Sequence, residues 1–194
     1  FGTVQITVVG VNDAPTARPD FSVPLFADSA ASPIAVLAND DDVDSDDDRS
    51  TLRVVGAGAA SGAIVDFSGR PGDGIVYRPA DHFKALAAGE TALDTVTYVV
   101  EDRHGARAIS TATVTVAGTN DLPAAAPDTV HGDEDDAFRI EVRTNDTDPD
   151  NTDSLFVSAI AGAGLTTGIP VVLSSGAAVT RAPDGALVYD PRGF

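Results

Sequence analysis

The segments TVTYVV at residues 95–100 and STATVTV at residues 110–116 decide the fold of this chain. In both, apolar side chains alternate with small polar ones, which is the period-two pattern of a strand with one buried face. Between them stands EDRHG at residues 101–105, a polar turn that ends in the glycine that a tight hairpin needs for a positive φ. The two segments therefore predict a long antiparallel hairpin.

Shorter segments with strand character lie on both sides of this hairpin. One helical turn is predicted at residues 81–88, and the predicted strands are residues 3–9, 34–37, 52–56, 63–67, 75–77, 138–142, 155–160, 171–173, 178–181 and 187–189. About seven short strands per hundred residues, separated by turn residues, indicate an immunoglobulin-like sandwich. The fold class predicted is all-β, with tandem immunoglobulin-like (cadherin-like) Greek-key β-sandwiches.

A sequence repeat divides the chain. VNDAP at residues 11–15 returns as TNDLP at 119–123, and NDDDVD at 39–44 returns as NDTDPD at 145–150. A fixed long period is typical of tandem modules that stack into an array. We call the two NDxDxD segments the aspartate ladders.

The repeat predicts three parts. Residues 1–11 are the closing strand of a preceding repeat, residues 12–119 form a complete repeat, and residues 120–194 form a second repeat that is truncated at its C-terminal end. The second repeat lacks a counterpart of the hairpin, so part of its sheet is unpaired. Two explanations stay open: strand exchange, in which residues 2–9 of another copy complete the sheet, or a proteolytic or disordered end.

Composition narrows the choice of partners. Thirty acidic residues against twelve basic ones give a formal net charge of −18, which argues against nucleic acid and anionic membrane surfaces because their phosphates would repel the chain. No apolar run approaches the roughly 18 residues of a membrane span, so membrane insertion is not expected. Cysteine is absent, so another staple, such as a bound metal, is expected. Methionine is also absent, and we expect an internal piece of a longer protein.

The aspartate ladders carry the candidate chemistry. Alternation places the side chains of Asp40, Asp42 and Asp44 on one side of the loop. So many negative charges in one place repel strongly unless a cation lies among them. Oxygen ligands without cysteine select Ca²⁺ over zinc, and a flexible loop suits Ca²⁺ better than Mg²⁺.

In a sandwich of this topology, the entry segment, the ladder loop and the hairpin turn should meet at one end. The predicted Ca²⁺ ligands are Asp13, Asp40, Asp42, Asp44 and Asp102 in the first repeat, and Asp121, Asp146, Asp148 and Asp150 in the second. Further candidates are Asp46, Asp47, Asp48 and Asp153. A solvated acidic loop is the alternative for each ladder. The acidic run at 133–136 is either another site or a solvated turn, and His104 is either a surface residue or a neighbour of the metal.

Several motifs together span nearly the whole first repeat: LANDDDVD at 37–44, YRP at 77–79, DTVTYVV at 94–100, DRHG at 102–105 and ATVTVAGTNDLP at 112–123. In this order they resemble the bacterial cadherin-like and VCBS-type tandem repeats of RTX-type surface adhesins. The resemblance implies an extracellular sandwich, calcium at module junctions, a role in cell adhesion or biofilm, and type I secretion from a Gram-negative cell. The loop SDDD at 45–48 departs from the family pattern, because it is longer and more acidic.

Two classes of function follow from these observations. The first is a calcium-stiffened structural or adhesive extender module, whose partners are neighbouring repeats of the same chain and cell-surface or glycan ligands. The second is a carbohydrate-binding accessory domain of a secreted enzyme, which would need an exposed aromatic platform from Tyr77, Tyr98 or Tyr189. The sequence has no nucleophile elbow, P-loop or paired His–Glu motif, so no enzymatic activity is expected.

Overall fold

In the computed structural model, which describes residues 2–22 and 24–192, regular structure is almost entirely β-strand. This confirms the predicted all-β class. The chain divides into two compact units, Phe1–Asn120 and Asp121–Phe194, called unit 1 and unit 2 below. A single turn of 3-10 helix, Ala80–Phe83, is the one helical element in the described ranges. Within those ranges no helix has the length and apolar character needed to cross a bilayer.

Unit 1 contains two sheets. The first sheet has the order β4-β7-β8-β1, with β2 also paired to β8, and the second has the order β3-β6-β5. The chain crosses repeatedly from one sheet to the other, as in an immunoglobulin-like sandwich. The strands are β1 Asp20–Phe21, β2 Leu25–Phe26, β3 Ser32–Ile34, β4 Arg53–Ala59, β5 Ile64–Phe67, β6 Ile75–Arg78, β7 Thr91–Glu101 and β8 Arg107–Ala117.

The hairpin of β7 and β8 is the longest strand pair in unit 1. Its register runs without a shift from Thr91 opposite Ala117 to Glu101 opposite Arg107. Successive residues of both strands alternate between buried and more exposed positions, as the sequence predicts. The connecting turn has Gly105 at φ 95°, which confirms the predicted role of this glycine.

The core of unit 1 lies between its two sheets. Fully buried side chains come from the first sheet and from the second, which defines a sandwich: Val54, Val96, Tyr98, Val100, Val114 and Val116 on one side, Ile75 and Tyr77 on the other. Burial of each Val or Ile contributes roughly 1.5–3 kcal/mol. This apolar contact explains why the period-two pattern is so regular in the hairpin.

A buried carboxylate joins the two sheets. Asp94 of β7 is 3% exposed and accepts a 2.7 Å hydrogen bond from the Tyr77 hydroxyl of β6. It also accepts hydrogen bonds from the backbone N–H and the hydroxyl of Ser61, at 3.1 and 2.5 Å. Burial alone would raise the pKa of Asp94, but these hydrogen bonds outweigh burial and hold the pKa below its ordinary value.

A second buried hydroxyl ties the entry segment to the core. Tyr98 is fully buried, and its hydroxyl lies 2.7 Å from the Asp20 carboxylate. The same hydroxyl is within hydrogen-bond distance of two backbone carbonyls, those of Arg18 at 3.1 Å and Val36 at 3.2 Å. Burial raises the pKa of Asp20 despite the hydrogen bond from Tyr98. One side chain thus holds together β1, the segment after β3, and β7.

Unit 2 has one four-stranded sheet, in the order β12-β13-β14-β9, and a small hairpin of β10 and β11. Its core cluster is smaller and centres on Leu165, Val179 and Leu187. Across the described part of unit 2, no hairpin corresponds to β7 and β8 of unit 1. The strands are β9 Phe138–Ile140, β10 Ala159–Ile160, β11 Ala163–Gly164, β12 Val171–Val172, β13 Ala178–Arg181 and β14 Leu187–Asp190.

Three of the predicted strands differ clearly in the structure. The strand predicted at 34–37 lies at Ser32–Ile34 instead, because the chain turns directly after it, with the Ala38 N–H bonded to the Ala35 carbonyl at 3.0 Å. Residues 3–9 pair with no described residue, and Val4, Ile6 and Val8 are 80–88% exposed. An alternating pattern alone cannot make a strand, because the backbone N–H and C=O groups need a neighbouring strand. The predicted strand at 155–160 is reduced to Ala159–Ile160. The assignment of residues 1–11 to a preceding repeat and the strand-exchange hypothesis therefore stay predictions.

We expect Tyr77→Phe and Asp94→Asn each to destabilise unit 1 by about 1–3 kcal/mol, because the first removes the donor of the buried tie and the second replaces one of its two accepting oxygens with an NH2 donor. Since the folded pKa of Asp94 lies below the ordinary value of 3.8, its stabilising effect is present above that value and lost as the pH falls through the folded pKa. Urea unfolding at pH 7 and below pH 3.8 measures both effects.

The matched control is Asp81→Asn, because Asp81 is exposed and pairs with Lys84 on the surface. It should leave the unfolding midpoint nearly unchanged. Equal midpoints for wild type and Asp94→Asn at pH 7, or a difference between them that grows in acid, would contradict the role given to Asp94.

Candidate metal centre

The entry segment of each unit is held against its ladder by the same hydrogen bond. In unit 1 the backbone N–H of Asp13 donates to Asp44 Oδ2 at 2.8 Å. In unit 2 the backbone N–H of Asp121 donates to Asp150 Oδ2 at 2.9 Å. A carboxylate that accepts a backbone N–H forms a charge-assisted bond, which is stronger than a neutral one. We call this bond the linker clasp.

The start of each ladder holds the entry segment a few residues further along. Asp40 Oδ1 accepts the N–H of Arg18 at 2.8 Å, and Asp146 Oδ1 accepts the N–H of Ala126, also at 2.8 Å. An isolated antiparallel bridge supports each contact, between Thr16 and Asp41 in unit 1 and between Ala124 and Thr147 in unit 2. The repeated sequence therefore encodes a repeated loop geometry, with the same carboxylates on the same amides.

The middle aspartate of each ladder shapes the loop from within. Asp42 Oδ1 accepts the N–H of Asp44 at 2.9 Å, and Asp148 Oδ1 accepts the N–H of Asp150 at 3.0 Å. Such local side-chain-to-backbone bonds turn the chain and compete with the backbone hydrogen bonds of a regular β-sheet. They shape the loop without a β-strand.

In three of the ladder aspartates, these bonds use one carboxylate oxygen and leave the other buried without a donor. Among the described residues, four buried aspartate oxygens accept no hydrogen bond: Oδ2 of Asp40, Asp42 and Asp47, and Oδ1 of Asp150. A buried anionic oxygen without a donor or cation is costly, because it has lost its water and gained nothing in return. Three of these atoms belong to the aspartate ladders and fit sites that are completed by a cation; the fourth, in Asp47, lies just after the first ladder.

Asp40 shows this cost in its acidity. Its side chain is buried, and burial is the main reason why the pKa of Asp40 rises to about 6; the negative charge of Asp20 contributes to the rise, and the hydrogen bond from the Arg18 N–H opposes it. Burial therefore makes the charged carboxylate more costly than it is in water, although the charged form still predominates at neutral pH. A bound cation would favour the charged form.

Asp102 joins two of the three segments expected at one end of unit 1, the entry segment and the hairpin turn; the ladder loop meets them through the contacts of Asp13 with Asp44 and of His104 with Asp46. The fully buried carboxylate of Asp102 accepts the Asn12 side-chain N–H at 2.9 Å and, through Oδ1, the backbone N–H groups of His104, Gly105 and Ala106 at 2.6–2.9 Å. Burial would raise the pKa of Asp102, but the four hydrogen bonds together lower it. Four donors already surround this carboxylate, so its observed task is to fix the turn and the entry segment.

The carboxylates that come closest differ between the units. In unit 2 the ligand atoms of Asp148, Asp150 and Asp153 lie within 4.8 Å of one another. In unit 1 the corresponding group is Asp46, Asp47 and His104. Within the described ranges, the other predicted ligands (Asp13, Asp40, Asp42, Asp44, Asp102, Asp121 and Asp146) belong to no group of three at this distance.

The remaining sequence candidates are Asp48, the acidic run at 133–136 and His104. Asp48 is exposed and accepts hydrogen bonds from the N–H and hydroxyl of Ser50, at 2.8 and 2.5 Å, which lower its pKa. The acidic run at 133–136 is exposed in a bend and contributes to neither group. His104 is half exposed, and its pKa is raised by the hydrogen bond with Asp46, whose own pKa is lowered by the same contact. The contact of His104 with Asp46 and Asp47 agrees with the expected meeting of the ladder loop and the hairpin turn, although spacing alone could not identify which carboxylates His104 would face.

Comparison with known proteins identifies the family. No curated protein matches this sequence. A family model described as "Bacterial Ig domain" matches residues 12–117 and again residues 120–194. The two matches cover most of the chain and follow the sequence repeat. They support the bacterial immunoglobulin-like part of the resemblance, and such a domain suggests a structural or extender module rather than an enzyme. The chain therefore belongs to the bacterial Ig domain family.

Proposed function

We propose that this chain is an extender segment of a bacterial surface or secreted protein, in which Ca²⁺ bound at the aspartate ladders stiffens each entry linker. The observation that carries the proposal is the linker clasp, which recurs in both units beside buried carboxylate oxygens that lack a donor. Loops that were only solvated would be expected to expose these oxygens to water. The proposed partners are neighbouring repeats of the same chain.

In unit 2 the proposed ligands are Asp148, Asp150 and Asp153, whose oxygen atoms already lie within 4.8 Å of one another. In unit 1 they are the ladder residues Asp40, Asp42 and Asp44. Each set offers carboxylate oxygens from a short, irregular loop, which is the type of site that Ca²⁺ prefers. Asp13, Asp102, Asp121 and Asp146 stay predicted ligands, and of these Asp102 would have to exchange one of its four protein donors for the ion.

When bound, Ca²⁺ would supply positive charge to oxygens that have no donor. The protein's own contribution is the arrangement of the amides: Asp44 and Asp150 each hold the linker by one oxygen, and Asp40 and Asp146 hold the chain a few residues later in the same way. Without positive charge the carboxylates repel one another, and the loop gains by moving apart. Because the same loop holds the linker, repulsion among the carboxylates would weaken the hold on the linker, although the linker clasp itself forms without a metal.

The energy of such coupling is considerable for a small domain. A ligand at 100 times its dissociation constant stabilises the folded form by about 2.7 kcal/mol when it does not bind the unfolded chain. The resemblance to secreted adhesin repeats favours an extracellular location, where Ca²⁺ is abundant. A chain that is loose at low Ca²⁺ and rigid at high Ca²⁺ would suit export followed by folding outside the cell.

The carbohydrate-binding alternative loses its sequence support. Tyr77 and Tyr98 are fully buried and hydrogen-bonded in the core of unit 1, and Tyr189 is half-buried against Phe138. An aromatic platform for a sugar must present its face to solvent, which the two buried rings cannot do. A glycan array would test what remains of this alternative.

Calcium should raise the melting temperature by about 10 °C or more relative to EDTA, because about 2.7 kcal/mol corresponds to such a shift in a domain of this size. Mg²⁺ in excess should have a much smaller effect, since it requires tight octahedral geometry. Differential scanning calorimetry in Ca²⁺, in EDTA, and in EDTA with Mg²⁺ measures the shift.

Asp150→Asn provides a sharper version of this experiment, because asparagine can still accept the Asp121 N–H but has lost the charge. We expect it to remove at least half of the calcium shift of unit 2, whereas Asp135→Asn, in the exposed bend, should not change it. If wild type melted at the same temperature in Ca²⁺ and in EDTA, the calcium part of the proposal would be wrong.

The linker clasp makes a separate prediction that is independent of any metal. Asp44→Ala should accelerate hydrogen exchange of the Asp13 amide about tenfold and leave the Asp121 amide unchanged, because the bond to Asp44 Oδ2 is lost. Asp150→Ala should do the reverse, so each variant is the control for the other. Amide exchange by NMR in EDTA reads both sites, and unchanged rates in both variants would show that the clasp does not hold the linker.

A further inference from the structure

Unit 1 brings a histidine and two carboxylates together outside the ladder. His104 lies in the turn between β7 and β8, and Asp46 and Asp47 lie in the loop that follows the ladder. His104 Nε2 is 3.0 Å from Asp46 Oδ2 and 4.0 Å from Asp47 Oδ2. We propose that these three side chains form a site for a divalent transition-metal ion, Zn²⁺ in particular, distinct from the calcium ligands of the ladder.

The strongest observation in favour is the state of Asp47. Its side chain is wholly buried, which is unusual for an aspartate in a loop. Oδ1 accepts the Thr51 hydroxyl at 2.9 Å and the Arg103 N–H at 3.4 Å, and the Arg103 guanidinium lies 3.5 Å away from the same oxygen. Oδ2 accepts no hydrogen bond from any described residue and lies on the side of His104.

The spacing of the three ligand atoms fits a small metal ion. Two ligands of a tetrahedral Zn²⁺ site with bonds of about 2.0–2.1 Å are separated by about 3.4 Å. The observed separations of 3.0 and 4.0 Å from His104 Nε2 lie on either side of this value, so small side-chain rotations are enough. An imidazole nitrogen is a poor ligand for Ca²⁺ and a good one for Zn²⁺, so His104 sets the selectivity.

The surrounding structure holds two of the three ligands in place. Asp102 Oδ1 accepts the backbone N–H of His104 at 2.8 Å and so fixes the turn. The N–H of Asp47 donates to the Asp44 carbonyl at 3.1 Å, which fixes the loop beside the ladder. Asp46 and His104 are about half exposed, which leaves a path for the ion and room for water as a further ligand.

Unit 2 is the natural comparison. Asp153 occupies the loop position of Asp47, since its N–H likewise donates to the carbonyl of the last ladder aspartate, Asp150, at 3.3 Å. Its neighbours are Asp148 and Asp150, so the group there contains oxygen atoms alone. We therefore infer that unit 1 carries the Zn²⁺ site and that the group in unit 2 stays selective for hard cations.

The test uses Zn²⁺, with Co²⁺ as its spectroscopic substitute, added to the whole chain in saturating Ca²⁺. Calorimetric titration should give one Zn²⁺ per chain, and Co²⁺ should produce visible absorption bands from a nitrogen-containing site. His104→Gln should weaken Zn²⁺ binding at least tenfold and leave the calcium-dependent melting shift unchanged. His131→Gln, in an exposed segment of unit 2, is the matched control and should bind as wild type does.

NMR of the imidazole nitrogens measures metal binding in the wild-type protein itself, so this test does not require the His104→Gln variant to fold. Zn²⁺ should shift Nε2 of His104 and leave the resonances of His131 in place. Equal Zn²⁺ affinity in wild type and His104→Gln, displacement of Zn²⁺ by Ca²⁺, or an unshifted His104 resonance would each overturn the site. Because Ca²⁺ is present throughout, a failure here leaves the calcium proposal to its own experiment.

Discussion

The ends of the two units depend on one kind of bond, an aspartate carboxylate that accepts a backbone N–H from the incoming chain. Asp44 and Asp150 make this bond to the linker, and Asp40 and Asp146 make it a few residues later. Each bond is favourable by itself, but it draws a carboxylate into a crowded, partly buried loop. The hydrogen bonds therefore order the loop, but they also bring negative charges together where little water can screen them. Both metal proposals follow from this unfavourable charge.

Much of the fold could be predicted because the decisive signals are local. Alternation in the hairpin reports burial of every second residue, and the glycine at 105 reports a positive φ, so β7, β8 and their turn could be located closely. The repeat likewise placed both ladders beside both entry segments. The strands β1 and β2 were missed, because two-residue strands carry no periodicity and owe their existence to pairing with β8.

The sites were harder to predict, because they depend on which loops meet. The ladders have the same spacing, and their internal bonds agree closely, yet the closest ligand atoms differ: three carboxylates in unit 2, two carboxylates and an imidazole in unit 1. That difference arises from the turn after β7, which brings His104 to Asp46. The described part of unit 2 has no counterpart of this turn. Asp102 illustrates the opposite case, since a carboxylate in a suggestive motif is surrounded by four donors of the protein itself.

The parallel pairing of β1 and β2 with β8 has a mechanical consequence for unit 1. The first and last strands run side by side in the same direction, so the chain enters at one end of the sandwich and leaves at the other. A pulling force applied through the two ends would therefore shear these strands past each other and load several ladder hydrogen bonds at once, rather than open them one by one. The hydrogen bond from the Tyr98 hydroxyl on β7 to Asp20 at the start of β1 would also have to break before β1 could slide. This pairing would let unit 1 resist a pull along its length by shear.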